Sequence, residues 1–176
     1  SGIHPKSPAG IWWQQQQLKQ GLLWNDPYAQ QGGLGASSAQ FLATYLASCT
    51  LQKKEPHLND LLHAYYAASW TGTGLKPSGY DVIAQAQQGC VYINKQQRIM
   101  ESYGWPFHDL SFFLIHTGIK LATHHHLQTT TLPDQVNDLS ALVEEAKCAF
   151  EQANATKLIG TINDYHKKLV ELNLVA

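Results

Sequence analysis

Gly32, Gly33 and Gly35 fall within four residues, and a helical repeat begins directly after them. Glycine inside a helix or strand is unfavourable by roughly 0.5–1 kcal/mol relative to alanine, so neither element runs through this stretch. The chain must break here, into a short opening section and a longer one that starts with a helix. In the opening section, Ile3–Gly10 (IHPKSPAG) carries two prolines, which excludes a long helix. Ile11, Trp12 and Trp13 suit a strand, and Asn25, Asp26 and Pro27 signal a turn. This section reads as strands belonging to a larger sheet.

Behind the break, Phe41, Leu42, Tyr45, Leu46 and Cys49 recur at helical spacing, and Ser37 with Gln40 fits a capping box. A second helix is expected over Leu58–Trp70, with Leu58, Leu61, Leu62 and Tyr65 as its apolar stripe. Gly72, Gly74 and Pro77 end it. A third runs from Ser78 to about Gln88, closed by Gly89. Cys90–Asn94, Arg98–Tyr103 and Ser111–His116 carry the β-branched and aromatic residues of strands. Thr129–Leu132 reads as a linker and Pro133 as a first helical residue. Val136, Leu139, Val143, Ala146, Phe150 and Ala153, then Leu158, Ile162, Tyr165, Leu169 and Leu172, predict a helical hairpin broken at Asn154. Helices, then strands, then helices give an α+β fold, not an alternating parallel sheet.

The composition narrows the function classes. Of 176 residues only 14% are charged, and 12 Lys plus Arg face 13 Asp plus Glu. A general nucleic-acid or membrane-surface binder needs a basic excess, so neither partner is expected. Cys49, Cys90 and Cys148 are widely spaced and form no C-x-x-C pair, so they read as buried free thiols of a reducing compartment. No apolar run reaches membrane-spanning length. The expectation is a cytoplasmic protein.

Two segments carry chemistry. In Gly32-Gly33-Leu34-Gly35-Ala36-Ser37-Ser38, glycines allow close backbone approach to a phosphate, and the amides of the following helix start point at the anion. Ser37 and Ser38 add hydroxyls for phosphate or magnesium. The same residues also make a plain loop before a capped helix. There is no G-K-[ST], which excludes the ordinary P-loop. In Lys76-Pro77-Ser78-Gly79-Tyr80-Asp81, Ser78 and Asp81 have the spacing of a capping pair. Alternatively, Asp81 orients a hydroxyl and accepts its proton during phosphoryl transfer.

The run GGLGASSAQF resembles the second signature of the GHMP kinases, which transfer the γ-phosphoryl group of ATP to small alcohols or phosphorylated alcohols. The segment from Pro77 to Asp81 (P-S-G-x-D) is similar to the one that supplies the catalytic aspartate in mevalonate kinases. Gln85–Val91 (QAQQGCV), Phe113–Thr123 (FLIHTGIKLAT) and the opening HPKSPAG look like further parts of the mevalonate and phosphomevalonate kinase branch. The resemblance implies a two-layer α/β sandwich, with residues 1–103 in the ATP-binding domain and 104–176 opening a second α+β domain. It implies ATP on Gly32, Gly33, Leu34, Gly35, Ala36, Ser37 and Ser38, and magnesium at Ser37. Asp81 would be catalytic, and Ser78, Gly79 and Lys120 would meet mevalonate or phosphomevalonate. A diphosphomevalonate decarboxylase is the rival enzyme, and a nucleotide-binding fragment without turnover is the rival outside catalysis.

The resemblance is incomplete. The strands and lysine that open such kinases, and their third, glycine-rich signature, have no counterpart, so the chain is expected to be a central portion. Unpaired sheet edges would then favour self-association, for instance a homodimer. Mevalonate kinases also place a glutamate before the aspartate, whereas no acid lies between Asp60 and Asp81. Magnesium would then rest on Ser37, water and ATP. Arg98 and Lys76 stand beside Lys120 as candidates for a substrate phosphate. His124-His125-His126 reads as a surface turn, since adjacent histidines cannot share one metal from a helix. His63, His116 and His166 are isolated. Trp12, Trp13, Trp24 and Trp105 suit a core better than an adenine stack, and Lys53-Lys54 suits a solvated helix end.

Overall fold

The computed structural model describes residues 3–18, 21–25, 35–73, 76–113, 115 and 137–174. In chain order these form α1 (Pro8–Gln15), α2 (Ala36–Gln52), α3 (Leu58–Ser69), α4 (Tyr80–Ala86), β1 (Cys90–Asn94), β2 (Ile99–Tyr103), α5 (Asn137–Glu151) and α6 (Ala155–Glu171). The class is α+β, mostly helical. Among the described residues the sheet is a two-stranded antiparallel hairpin, paired from Cys90↔Tyr103 to Asn94↔Ile99. No described helix is long and apolar enough to cross a membrane.

Two expectations fail for physical reasons. Ile11, Trp12 and Trp13 lie in a helix, not a strand. Ser7 caps it by accepting from the Gly10 amide at 3.2 Å, and Pro8 takes the first helical position, where its missing N–H is harmless. Cap and proline together outweigh the β preference of the aromatic pair. Ser111–His116 is not a strand over its described residues, 111–113 and 115. Phe113 and Ile115 stay 87% and 82% exposed, and no described strand offers them a partner. Strand-forming residues without a ladder to join satisfy no backbone group. The linker at Thr129–Leu132, Pro133, Val136 and the triple histidine lie outside the described residues.

The first core gathers Phe41, Tyr45 and Cys49 of α2, Leu61, Ala64 and Ala68 of α3, and Val82 of α4. Phe41 is fully buried and meets the Tyr65 ring edge-on at 5.2 Å. Trp12 of α1 lies 5.8 Å from the Tyr45 ring, and its indole N–H donates to the Ser48 hydroxyl at 3.2 Å. Trp12 is therefore a packing residue, and the first helix clamps α2 from outside. The second core joins Phe107, Ala149 and Leu158, flanked by Trp105 and Phe150. Asn154 starts α6 by accepting from the Lys157 amide at 2.9 Å, which fixes the turn of the helical hairpin. The cysteines are free, with Cys49 buried and Cys90 and Cys148 half-buried.

The β1–β2 hairpin ties to α5 by a polar network. Lys147 reaches Glu101 at 2.7 Å and lies 4.5 Å over the Tyr92 ring. The Tyr92 hydroxyl donates to Glu144, and the Tyr103 hydroxyl donates to Glu101 and, at 3.3 Å, to Glu151. The bond from Lys147, then the one from Tyr103, holds the Glu101 carboxyl below its ordinary value. The bond to Glu101 pushes Tyr103 up to about 12.

Two outcomes follow from this packing. Phe41→Ala should destabilise the chain by about 3–5 kcal/mol in urea unfolding, because the buried site cannot fully collapse. A lowered carboxyl contributes stability that is present above its unfolded value, near 4.5, and is lost as pH falls through the folded value. The melting temperature should therefore drop on acidification below that point, and the drop should be smaller in Lys147→Met, read by circular dichroism across pH.

Candidate functional site

Gly35 is the N-cap of α2, with φ of +68°, a left-handed conformation that favours glycine. The helix therefore starts at Ala36, and Ser37 lies inside its first turn instead of capping it. No side chain caps this end, and no acid sits in the first turn. Among the described residues, the amides that open α2 thus have no side-chain acceptor. Gly32, Gly33, Leu34 and Lys120 lie outside the described residues.

Gly79 is the N-cap of α4, again left-handed at φ +73°. The helix starts at Tyr80, two residues later than the sequence pattern places it, so the Ser78–Asp81 capping pair does not form. The Ser78 hydroxyl instead accepts from the Tyr80 amide at 3.4 Å. Asp81 is turned away from its own helix. Its carboxylate accepts a hydrogen bond from the Ser38 hydroxyl, across 43 residues of chain. One turn further along α4, the Gln85 amide group donates to the Gly35 carbonyl at 3.1 Å.

The two chemistry-bearing segments thus converge. Ser38 is buried and tied to Asp81, while Ser37 is exposed on the same first turn. The sequence singles out Ser37 for magnesium; the hydroxyl that bonds to Asp81 is that of Ser38. Burial, then the charge of Asp81, raises the Tyr65 hydroxyl above its ordinary value. Among the described residues no three His, Cys, Asp or Glu side chains gather to hold a metal. Magnesium does not require such a cage: it takes oxygen donors, one or two from protein and the rest from water and phosphate. The exposed Ser37 hydroxyl, on the first turn of α2, is an oxygen donor of that kind.

Three contributors were not legible as site residues. Gln85 reads as an ordinary helical position, Tyr66 as part of the α3 face, and Lys95 as a turn residue. Tyr66 and Lys95 both donate to the Ser78 carbonyl, at 3.0 and 2.7 Å. Arg98, by contrast, sits in the β1–β2 turn with φ of +57°. Asp81 lines neither of two open grooves: one is lined by Asp138, Leu142 and Lys168, another by Tyr45, His57 and Gln85.

Compared with protein-family models, curated proteins and solved structures, the chain matches none.

The backbone at Gly79 sets the aim of Asp81. A methyl group there would lie 3.0 Å from the Tyr66 hydroxyl and 3.1 Å from Leu62, on a left-handed residue. Gly79→Ala should destabilise the fold by about 1–2 kcal/mol, measured by urea unfolding. It should also weaken the Ser38–Asp81 contact, seen as altered amide shifts at both residues in a nuclear magnetic resonance spectrum.

Proposed function

We propose that the chain is an ATP-dependent phosphotransferase of the GHMP kinase type, acting on mevalonate or phosphomevalonate. The single observation that carries this reading is the meeting of Ser38 and Asp81 on the first turn of α2, directly behind the glycine run. A capping role for Asp81 would have kept its carboxylate on its own helix. Its placement against Ser38 is what a residue facing a shared phosphate site requires.

In this reading the amides of Gly35, Ala36, Ser37 and Ser38 hold the phosphates, where the α2 dipole favours negative charge. ATP bound there would supply the phosphoryl group, and the Ser37 hydroxyl would hold magnesium, whose chemistry is to offset charge on the transferred phosphate. Asp81 orients the acceptor hydroxyl and takes its proton as the new bond to phosphorus forms. Ser38 fixes the rotamer of Asp81 by donating to one oxygen, leaving the other to accept. Gln85 locks α4 to α2, so that base and phosphate site move together. The two-layer sandwich and the second domain belong to this proposal. So do a cytoplasmic setting and self-association as a homodimer.

The test is ADP release by the full chain with mevalonate, phosphomevalonate, diphosphomevalonate, homoserine and galactose. Turnover is expected with mevalonate or phosphomevalonate. Asp81→Asn should lower kcat by about 10²–10⁴-fold, and Ser38→Ala should lower it less. Release of carbon dioxide from diphosphomevalonate would assign the decarboxylase instead. ATP binding without turnover of any acceptor would leave a nucleotide-binding module.

A further inference from the structure

Lys76 and Lys95 are held together around Ser78. The Lys76 ammonium lies 4.0 Å over the Tyr66 ring and 5.7 Å from that of Trp70. The Lys95 ammonium lies 4.3 Å over the Tyr80 ring and donates to the Ser78 carbonyl at 2.7 Å. The Tyr66 hydroxyl donates to that same carbonyl. One residue thus anchors both cations, one through its direct partner and one through the ring of its second partner.

Among the described residues, neither lysine has a carboxylate within ion-pair distance. Elsewhere Lys147 pairs with Glu101, Lys167 with Asp164, and Lys168 with Asp138 and Glu171, whereas Lys6, Lys53, Lys54 and Lys157 have no ion pair among the described residues; what sets Lys76 and Lys95 apart is that aromatic rings and one carbonyl hold them side by side. Acids outnumber bases in the sequence, 13 to 12, so pairing partners were not scarce. Aromatic faces and a carbonyl orient an ammonium but leave its full charge in place. The two charges also act on each other: burial, then Lys76, pushes Lys95 below its ordinary value. An arrangement that keeps two cations close and withholds their counter-charge is completed by an anion from outside. The lysines frame the turn that ends three residues before Asp81.

We infer that Lys76 and Lys95 form a seat for the anionic group of the acceptor, a phosphate monoester or a carboxylate, steering its hydroxyl toward Asp81. Naming the acceptor as occupant rests on the phosphotransferase reading above; the anion seat itself does not. Lysine suits the task as a point charge that accepts either anion without a fixed bidentate geometry. Lys76 and Lys95 take up the substrate-phosphate role that the sequence alone spread over Lys76, Arg98 and Lys120.

The experiment has two arms. In the first, the isotopically labelled full chain is titrated with sodium phosphate and separately with sodium acetate, against a sodium chloride control of equal ionic strength. Saturable amide shifts at Ser78, Gly79 and Lys95 are expected, weakened about tenfold or more in Lys76→Met and in Lys95→Met. They should persist in Lys95→Arg and in the distant control Lys157→Met. Tighter saturation by phosphate identifies a phosphate monoester as the occupant, and tighter saturation by acetate a carboxylate. Identical titrations in wild type and in both methionine variants, or shifts no larger than those from chloride, would overturn the seat. In the second arm, both methionine variants should raise the KM for the acceptor about tenfold to a hundredfold while kcat changes only a few-fold. Turnover with acceptor KM unchanged would sink the seat and leave the kinase standing. Saturable, lysine-dependent anion binding with no ADP released for any acceptor would sink the kinase and leave the seat.

Discussion

Where α4 is set against α2 decides what Asp81 can do. An aspartate in the first turn of a helix has a strong local alternative, its own backbone amides. That alternative is declined here because the turn is shifted: Gly79 takes the left-handed cap position, and Tyr80 begins the helix. The carboxylate then projects to Ser38, and Gln85 repeats the link one turn on. Two glycines in positive φ, Gly35 and Gly79, make the approach possible from both sides. Beneath them Val82 is fully buried against α2 and α3, so α4 is seated by packing and aimed by polar contacts.

The electrostatics are arranged in two tiers around this junction. On the inner side, the Ser38 hydroxyl bonds to Asp81, whose charge reaches the half-buried Tyr65. On the outer side, Lys76 and Lys95 rest on Tyr66 and Tyr80. Tyr66 serves both tiers, since its ring carries Lys76 while its hydroxyl braces the turn that leads into α4. A residue with one apolar face and one polar tip is well suited to such a position. The cations lie on rings, not on carboxylates, so their fields extend outward and are not cancelled locally.

Much of the helical framework was legible because its periodicity is strong. Leu58–Ser69, Asn137–Glu151 and Ala155–Glu171 match the apolar spacing closely, and Asn154 announced the turn between the last two. The β1–β2 hairpin was legible too, from Cys90–Asn94 and from a second strand that begins one residue later than expected. Trp12 was misread because two adjacent tryptophans favour strands locally, whereas the cap at Ser7 and the contact with Tyr45 decide for helix. Asp81 was legible as a candidate but not as a winner, since its capping and catalytic readings share one spacing. Only the third dimension, which brings residue 38 to residue 81, removes the capping reading. Lys95 was invisible because its partners, Ser78 and Tyr80, lie on another element.

The hairpin joined to α5 has one more consequence. Only three residues, Gln87–Gly89, separate the end of α4 from the start of β1. On its far side the same hairpin is clamped to α5 through Lys147, Tyr92 and Tyr103. The two apolar cores are therefore mechanically geared: a slide of the C-terminal helices along the hairpin would be delivered, over less than one turn of linker, to the helix that carries Asp81. Acidification that frees Glu101 would slacken that gearing without touching a single atom at the start of α2.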